Sequence, residues 1–152
     1  MRIRAWQPSD GPQIVGLITS IITQEFPGDQ KAYPVEDLEH LAETYQGSAN
    51  AFLVAEEGDR VIGTCGVKAD GPHSAILRRL FVDPEYRGRG VGHSLLNEAL
   101  AFCRKKGFRE AIIRTSTGMR QAIQLCSSMG FQQDGRWSLG EITLVRLRLK
   151  LT

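Results

Sequence analysis

Residues 80–96 run Leu80-Phe81-Val82-Asp83-Pro84-Glu85-Tyr86-Arg87-Gly88-Arg89-Gly90-Val91-Gly92-His93-Ser94-Leu95-Leu96. An apolar, β-prone run stops at Asp83-Pro84, glycines follow at 88, 90 and 92, and a helical apolar pattern begins at once. The order is strand, tight loop, helix N-terminus. Without side chains in the way, the backbone N–H groups of such a loop can converge on a ligand. The unsatisfied amides of the helix's first turn add partial positive charge, so the loop is expected to cradle a phosphate. Arg87 and Arg89 bring formal charge beside it.

The spacing excludes two familiar cradles. A nucleotide P-loop needs Gly, four residues and then Gly-Lys-Ser or Gly-Lys-Thr, neither of which occurs in the chain. The dinucleotide fingerprint Gly-x-Gly-x-x-Gly closes a first βα unit and has an acidic residue ~20 residues on. Here the third glycine falls at 92, and the expected strands precede the loop rather than follow it, although Glu110 lies at the right distance.

Working outward, 152 residues suit one domain spanning the whole chain, 1–152. A hydrophobic share of 41%, a charged share of 24% and a net charge of +2 call for neither nucleic acid nor a membrane. The start Met1-Arg2-Ile3-Arg4 carries no apolar leader, and no run of ~18 apolar residues appears. Cys65, Cys103 and Cys126 are odd in number and far apart, which argues against a disulfide framework or a metal site. A soluble cytoplasmic protein, monomer or homodimer, is the expectation.

Ile3–Trp6 is expected as a strand, followed by a helix over 11–24 with Ile14, Leu17, Ile18, Ile21 and Ile22 on one face. Pro34 starts a second helix, whose stripe Leu38, Leu41, Ala42 and Tyr45 ends at Gly47. Strands over 51–56 and 61–67 join at a Gly58-Asp59 hairpin, and a third over 75–82 feeds the glycine loop. A helix over 90–106, a buried strand over 111–115 and a helix over 119–129 follow. The chain closes with an alternating strand over 143–151 that should keep one face wet. The order is β-α-α-β-β-β-α-β-α-β-β.

This order, with Arg87-Gly88-Arg89-Gly90-Val91-Gly92 opening the central helix, resembles the GNAT superfamily of acetyl-CoA-dependent N-acetyltransferases. Arg87, Gly90 and Gly92 fill the hallmark Gln/Arg-x-x-Gly-x-Gly/Ala, and Ser128-Met129-Gly130-Phe131 is similar to the family's Leu-Gly-Phe helix end. The resemblance implies an α/β (α+β) GNAT fold: a mixed, mostly antiparallel sheet of six to seven strands, flanked by four helices and splayed to form the acetyl-CoA cleft. It implies that Leu80, Phe81 and Val82 pair with the pantetheine arm. Arg87, Gly88, Arg89, Gly90, Val91, Gly92 and His93 would hold the pyrophosphate. A backbone N–H near Phe81 or Val82, taken as Val82, would stabilise the oxyanion. The reaction implied is direct acetyl transfer to a primary amine of a small molecule or peptide, without a metal.

Two family positions differ. The strand glutamate that serves some members as base falls near Ile76, and the tyrosine of the penultimate helix falls on Cys126. Cys126 is thus either a candidate general acid for the departing thiolate or a core residue on a stripe with Met119, Ala122, Ile123 and Met129. The early asparagine of that helix is replaced by Met119. Glu25, Glu56, Glu57 and His73 remain as candidate bases, and Phe26, Tyr33 and Trp137 as an aromatic acceptor wall. These departures keep a second function open: a catalytically silent CoA-binding sensor or interaction module on the same fold.

Overall fold

The computed structural model describes residues 1–34 and 36–152. Seven strands form one sheet in the order β1-β2-β3-β4-β5-β7-β6. They are β1 (Arg2–Ala5), β2 (Ala51–Glu57), β3 (Arg60–Asp70), β4 (Ser74–Val82), β5 (Glu110–Ser116), β6 (Gln132–Leu139) and β7 (Ile142–Lys150). The β4–β5 pair is parallel and the other neighbours are antiparallel. The main helices are α1 (Gly11–Glu25), the single turn α2 (Leu41–Thr44), α3 (Val91–Lys105) and α4 (Arg120–Ser128). None of the described helices is long and apolar enough to cross a membrane.

Each face of the sheet carries its own apolar cluster. On one, Leu95, Leu96, Ala99, Leu100 and Cys103 of α3 pack with Ala75, Leu77, Ala111, Ile113 and Leu147. On the other, Ile14, Ile18, Ile21 and Ile22 of α1 pack with Leu38, Leu41, Tyr45, Phe52, Val54 and Phe81. The closing strand alternates as expected, with Val145 and Leu147 buried, but it lies inside the sheet between β5 and β6. Its arginines therefore find partners: Arg146 Nε and Arg148 Nε donate to the two oxygens of Asp134 at 2.7 and 2.5 Å.

The second helix is shorter than its stripe implies. A 3-10 turn over Glu36–His40 gives way to α2, with His40 at φ −130° and ψ 43° between them. Leu38, Leu41 and Tyr45 are buried as the periodicity requires, whereas Ala42 is exposed. Tertiary ties explain the break, since the Asp37 carboxylate is drawn to the guanidinium of Arg79 on β4.

Two irregularities of β4 shape the molecule. Gly66 pairs with Arg78 and Thr64 with Phe81, so Arg79 and Leu80 together oppose the single residue Cys65. This is a β-bulge, and Arg79 takes the left-handed region at φ 57° within it. The parallel ladder to β5 runs only from Ser74–Glu110 to Leu77–Ile113. Beyond that point the two strands part, leaving one edge of Leu80–Val82 without a strand.

Burial also sets how stability should respond to alkali. The low-dielectric core pushes the Cys103 thiol up to about 11 and the Cys126 thiol up to about 12, and it raises Cys65 as well. An unfolded thiol ionises near ~8.5. A group whose folded pKa is raised contributes stability below its unfolded value, and that contribution disappears as pH climbs through the folded value. The urea midpoint is expected to be insensitive to these thiols up to about pH 8.5 and to fall between about 9 and 12. A midpoint that held steady to pH 11 would refute this account.

Candidate active site

The gap between β4 and β5 opens into a cleft of about 500 Å³, a size suited to a small ligand. Its walls come from the end of α1 (Ile21, Glu25, Phe26), the free end of β4 (Leu80, Phe81, Val82), the glycine loop and the start of α4 (Met119 to Ala122, with Leu125). Of the ten residues that the resemblance assigns to the cofactor, nine line it: Leu80, Phe81, Val82, Arg87, Gly88, Gly90, Val91, Gly92 and His93. Arg89 does not. Its guanidinium lies over the Tyr86 ring at 5.1 Å from the centroid, outside the cleft.

Hydrogen bonding in the β4 ladder decides which amides are free. Asp83 N–H donates to Ile62 O at 2.8 Å. Amides alternate in direction along an antiparallel strand, so those of Asp83 and Phe81 face β3, whereas those of Val82 and Leu80 face the gap. The carbonyl of Val82 follows the same rule and accepts from Arg87 Nε at 3.1 Å. Phe81 is thereby removed as a candidate oxyanion donor, because its N–H belongs to the ladder. Leu80 and Val82 offer an edge that an extended ligand can join as a strand would.

The glycine loop takes the tight, left-handed turns that its residues suggest. Gly88 and Gly90 adopt φ 78° and 81°, a backbone that residues with Cβ atoms rarely take. Gly90 caps α3, and the first bond within the helix runs from Ser94 N–H to Gly90 O, so the amides of Val91, Gly92 and His93 lack helical acceptors. A Cβ on Gly92 would lie 3.2 Å from Leu125 Cδ2 and 3.5 Å from Val82 Cγ2. Small size there keeps the passage between α3, α4 and β4 open. His93 is exposed at the edge of the lining.

Charged residues separate clearly. Glu25 lines the cleft, and Arg87 Nη1 and Nη2 donate to its two oxygens at 2.5 and 2.9 Å. Among the described residues Glu25 is the one carboxylate of the lining. The other candidate bases lie elsewhere. Glu56 takes two N–H bonds from Arg4 at 2.9 and 2.6 Å, and Glu57 meets the Met1 amine at 3.1 Å. His73 is exposed in the turn between β3 and β4.

Cys126 lies away from the cleft lining. It is fully buried among Leu96, Leu100, Phe131 and their neighbours, and the cleft takes Leu125 beside it instead. Of the two readings of this thiol, its burial and its absence from the lining favour the core residue.

The aromatic wall is likewise reduced to Phe26. Trp137 lies on the edge strand β6, 39% exposed and away from the lining. Tyr33 acts as an anchor. Ser116 N–H donates to its hydroxyl at 2.8 Å, and Thr115 Oγ1 lies 3.0 Å from it. Ser116 Oγ in turn donates to Asp29 at 2.6 Å. This network stakes the 3-10 segment Pro27–Ala32 to the end of β5, beside the splay. Arg120 and Gln121 belong to no motif, yet they face the cleft because α4 begins at its rim. The Thr117-Gly118 break before them is the available signal.

The family described as Acetyltransferase (GNAT) family matches residues 15–131, a span that includes both arms of the splay and the whole glycine loop. The chain belongs to the GNAT acetyltransferase family. Rat N-acetyltransferase 8B is 31% identical over 123 residues, covering 73% of this chain and 55% of that protein. Human N-acetyltransferase 8 is 33% identical over 106 residues, covering 66% of this chain and 47% of that protein. The chain therefore spans about half the length of the curated relatives it matches. Among solved structures, a GNAT-family acetyltransferase from Staphylococcus aureus superposes with a TM-score of 0.85 at 22% identity, covering 99% of both chains. An acetyltransferase from Salmonella typhimurium, solved with its cofactor acetyl-CoA, superposes with a TM-score of 0.81 at 20% identity and covers 100% of this chain and 94% of that one. These structures share the GNAT fold, including a seven-stranded, mostly antiparallel sheet in this member.

Proposed function

We propose that this GNAT domain transfers an acetyl group from acetyl-CoA directly to a primary amine. The observation that carries the proposal is one continuous cleft in which a free strand edge, at Leu80 and Val82, leads into a glycine cradle at the N-terminus of α3. The edge suits the amides of a pantetheine arm, and the cradle suits a pyrophosphate. Bound acetyl-CoA would supply an activated acetyl thioester. Its presence in the Salmonella acetyltransferase supports this choice of donor.

Val82 sits against the loop through Arg87, so it faces the phosphate end of the arm, and Leu80 lies two residues deeper. We therefore assign the oxyanion chiefly to the Leu80 N–H, with Val82 N–H supporting the arm. The amine nitrogen attacks the thioester carbon, the carbonyl electrons move to the oxygen held by that N–H, and collapse breaks the C–S bond, the proton shed by the nitrogen passing through solvent to the departing thiolate. The thiolate is a good leaving group and needs no acid at Cys126. Deprotonation is the larger burden. A lysine-like ammonium costs about 4–5 kcal/mol to deprotonate at pH 7, and an α-amine only about 1–1.5. Glu25 is the carboxylate placed to meet that ammonium, and Ile21, Phe26 and Met119 supply apolar surface beside it. An amine borne next to an apolar group fits this wall.

Thiol release from acetyl-CoA over a panel of amines and peptides tests the reading. Turnover is expected with at least one amine of that kind. Tight binding of acetyl-CoA with no turnover on any acceptor would instead make the domain a CoA-binding module.

A further inference from the structure

We propose that Glu25 and Arg87 form a latch opened by the pyrophosphate of acetyl-CoA, so that cofactor binding frees the carboxylate lining the cleft. The inference rests on the donor proposed above. Arg87 opens the glycine loop, yet its guanidinium is turned across the cleft mouth. Nη1 and Nη2 grip Glu25 at 2.5 and 2.9 Å, and Nε donates to Val82 O at 3.1 Å. The last residue of α1 and the last residue of β4 are thereby tied through one side chain, and all three residues line the same cleft. Glu25 and Arg87 are 62 positions apart, so only the folded chain brings them together.

The atoms held in this way are those a donor requires. Val82 O belongs to the strand edge that the arm would join, and the planar fork that fits a carboxylate fits a phosphate equally well. Arg89 is exposed over the Tyr86 ring and is not part of the lining, so Arg87 is the loop arginine that reaches into the cleft. The contest is uneven. The side chains of Arg87 and Glu25 are 28% and 31% exposed, and ion pairs so open to water contribute little. A pyrophosphate brings two charges against one and also takes the free amides of α3. It is the stronger partner for Arg87, and Glu25 is released as it binds.

A mutant cycle read by calorimetry tests the latch, with CoA titrated into the wild type, Glu25→Gln, Arg87→Ala and the double variant. Glu25→Gln is expected to tighten CoA about two- to fivefold, the effect of removing a partly exposed competitor. In the Arg87→Ala background the same change should have no effect. The compound 3′-phospho-ADP, which carries the pyrophosphate without the arm, should show the same gain. If Glu25→Gln leaves CoA affinity unchanged or weakens it, Glu25 merely orients Arg87 and the latch is overturned. A gain confined to whole CoA would move the competition to the arm and overturn the role of the pyrophosphate. Failure of the wild type to bind CoA would remove the donor assignment itself, a result distinct from these.

Discussion

Gly90→Val is expected to weaken acetyl-CoA binding at least about a hundredfold while the domain stays folded. Gly90 adopts φ 81° and ψ 11° as the cap of α3, with nothing within 4 Å of a Cβ built on it. The damage would therefore come from backbone strain and not from collision. A β-branched residue held in the left-handed region costs about 1–3 kcal/mol, which a domain with about 5–15 kcal/mol of stability survives. The chain can relieve the strain by rotating the peptide planes that flank residue 90. Doing so turns the amides of Val91 and Gly92 away from the cradle. Each charge-assisted hydrogen bond contributes about 1.5–3 kcal/mol, so losing two accounts for the expected factor. Gly140→Val is the control. Gly140 also has a left-handed φ, 61°, and open space around it, but it sits in the hairpin between β6 and β7. It should lose comparable stability and keep full affinity. Equal loss of affinity in both variants would show that general loosening is responsible.

The largest effect on stability is expected from Asp37→Ala, at about 3–5 kcal/mol. The Arg79 side chain is 4% exposed, and Asp37 is its ionic partner. Arg79 also donates to the Pro34 carbonyl, and its Nη1 has no partner among the described residues. Removing the carboxylate leaves a buried guanidinium with its charge uncompensated, and the penalty for that exceeds what the pair itself contributed. The reverse change should be milder. Arg79→Gly removes the buried charge and the φ of 57° ceases to be strained, while Asp37 keeps Arg78 at 3.5 Å. Denaturant unfolding of the two variants should place Asp37→Ala well below Arg79→Gly. The opposite order would mean that the Arg79 side chain stabilises the bulge by packing rather than that Asp37 neutralises it.

Local chemistry was legible in the sequence and distant partnership was not. Gly88, Gly90 and Gly92 announced their loop because positive φ and close approach leave a mark on residue choice. Val145 and Leu147 announced a strand because period-two burial is a local property. The pairing of Arg87 with Glu25 left no mark of this kind, since each is an ordinary surface charge until the fold places them face to face. Nothing in the residue types of Arg78-Arg79 sets one apart from the other. Only the register with β3 shows that Arg79 is an added residue. The placement of Cys126 was illegible for a related reason: its position in the family's motif was clear, but motif position does not report on which side of α4 the cleft lies.

That added residue leaves slack in one strand. The nine residues of β4 lie against residues 63–70 of β3, a path one residue shorter. Such a surplus is taken up as a bend and extra twist in the longer strand. It also moves the strand's buried positions from one layer to the other, for Leu77 packs under α3 and Phe81, four positions on, under α1. Deleting Arg79 would even the two paths without turning any later residue over, because Leu80 would still stand opposite Cys65. Phe81 would keep its place under α1. What would vanish is the bend, and a straightened β4 could run on beside β5 past Leu77, continuing the sheet where the cleft now opens. A single residue of excess length thus sits just past the point where the ladder to β5 ends and the cleft begins.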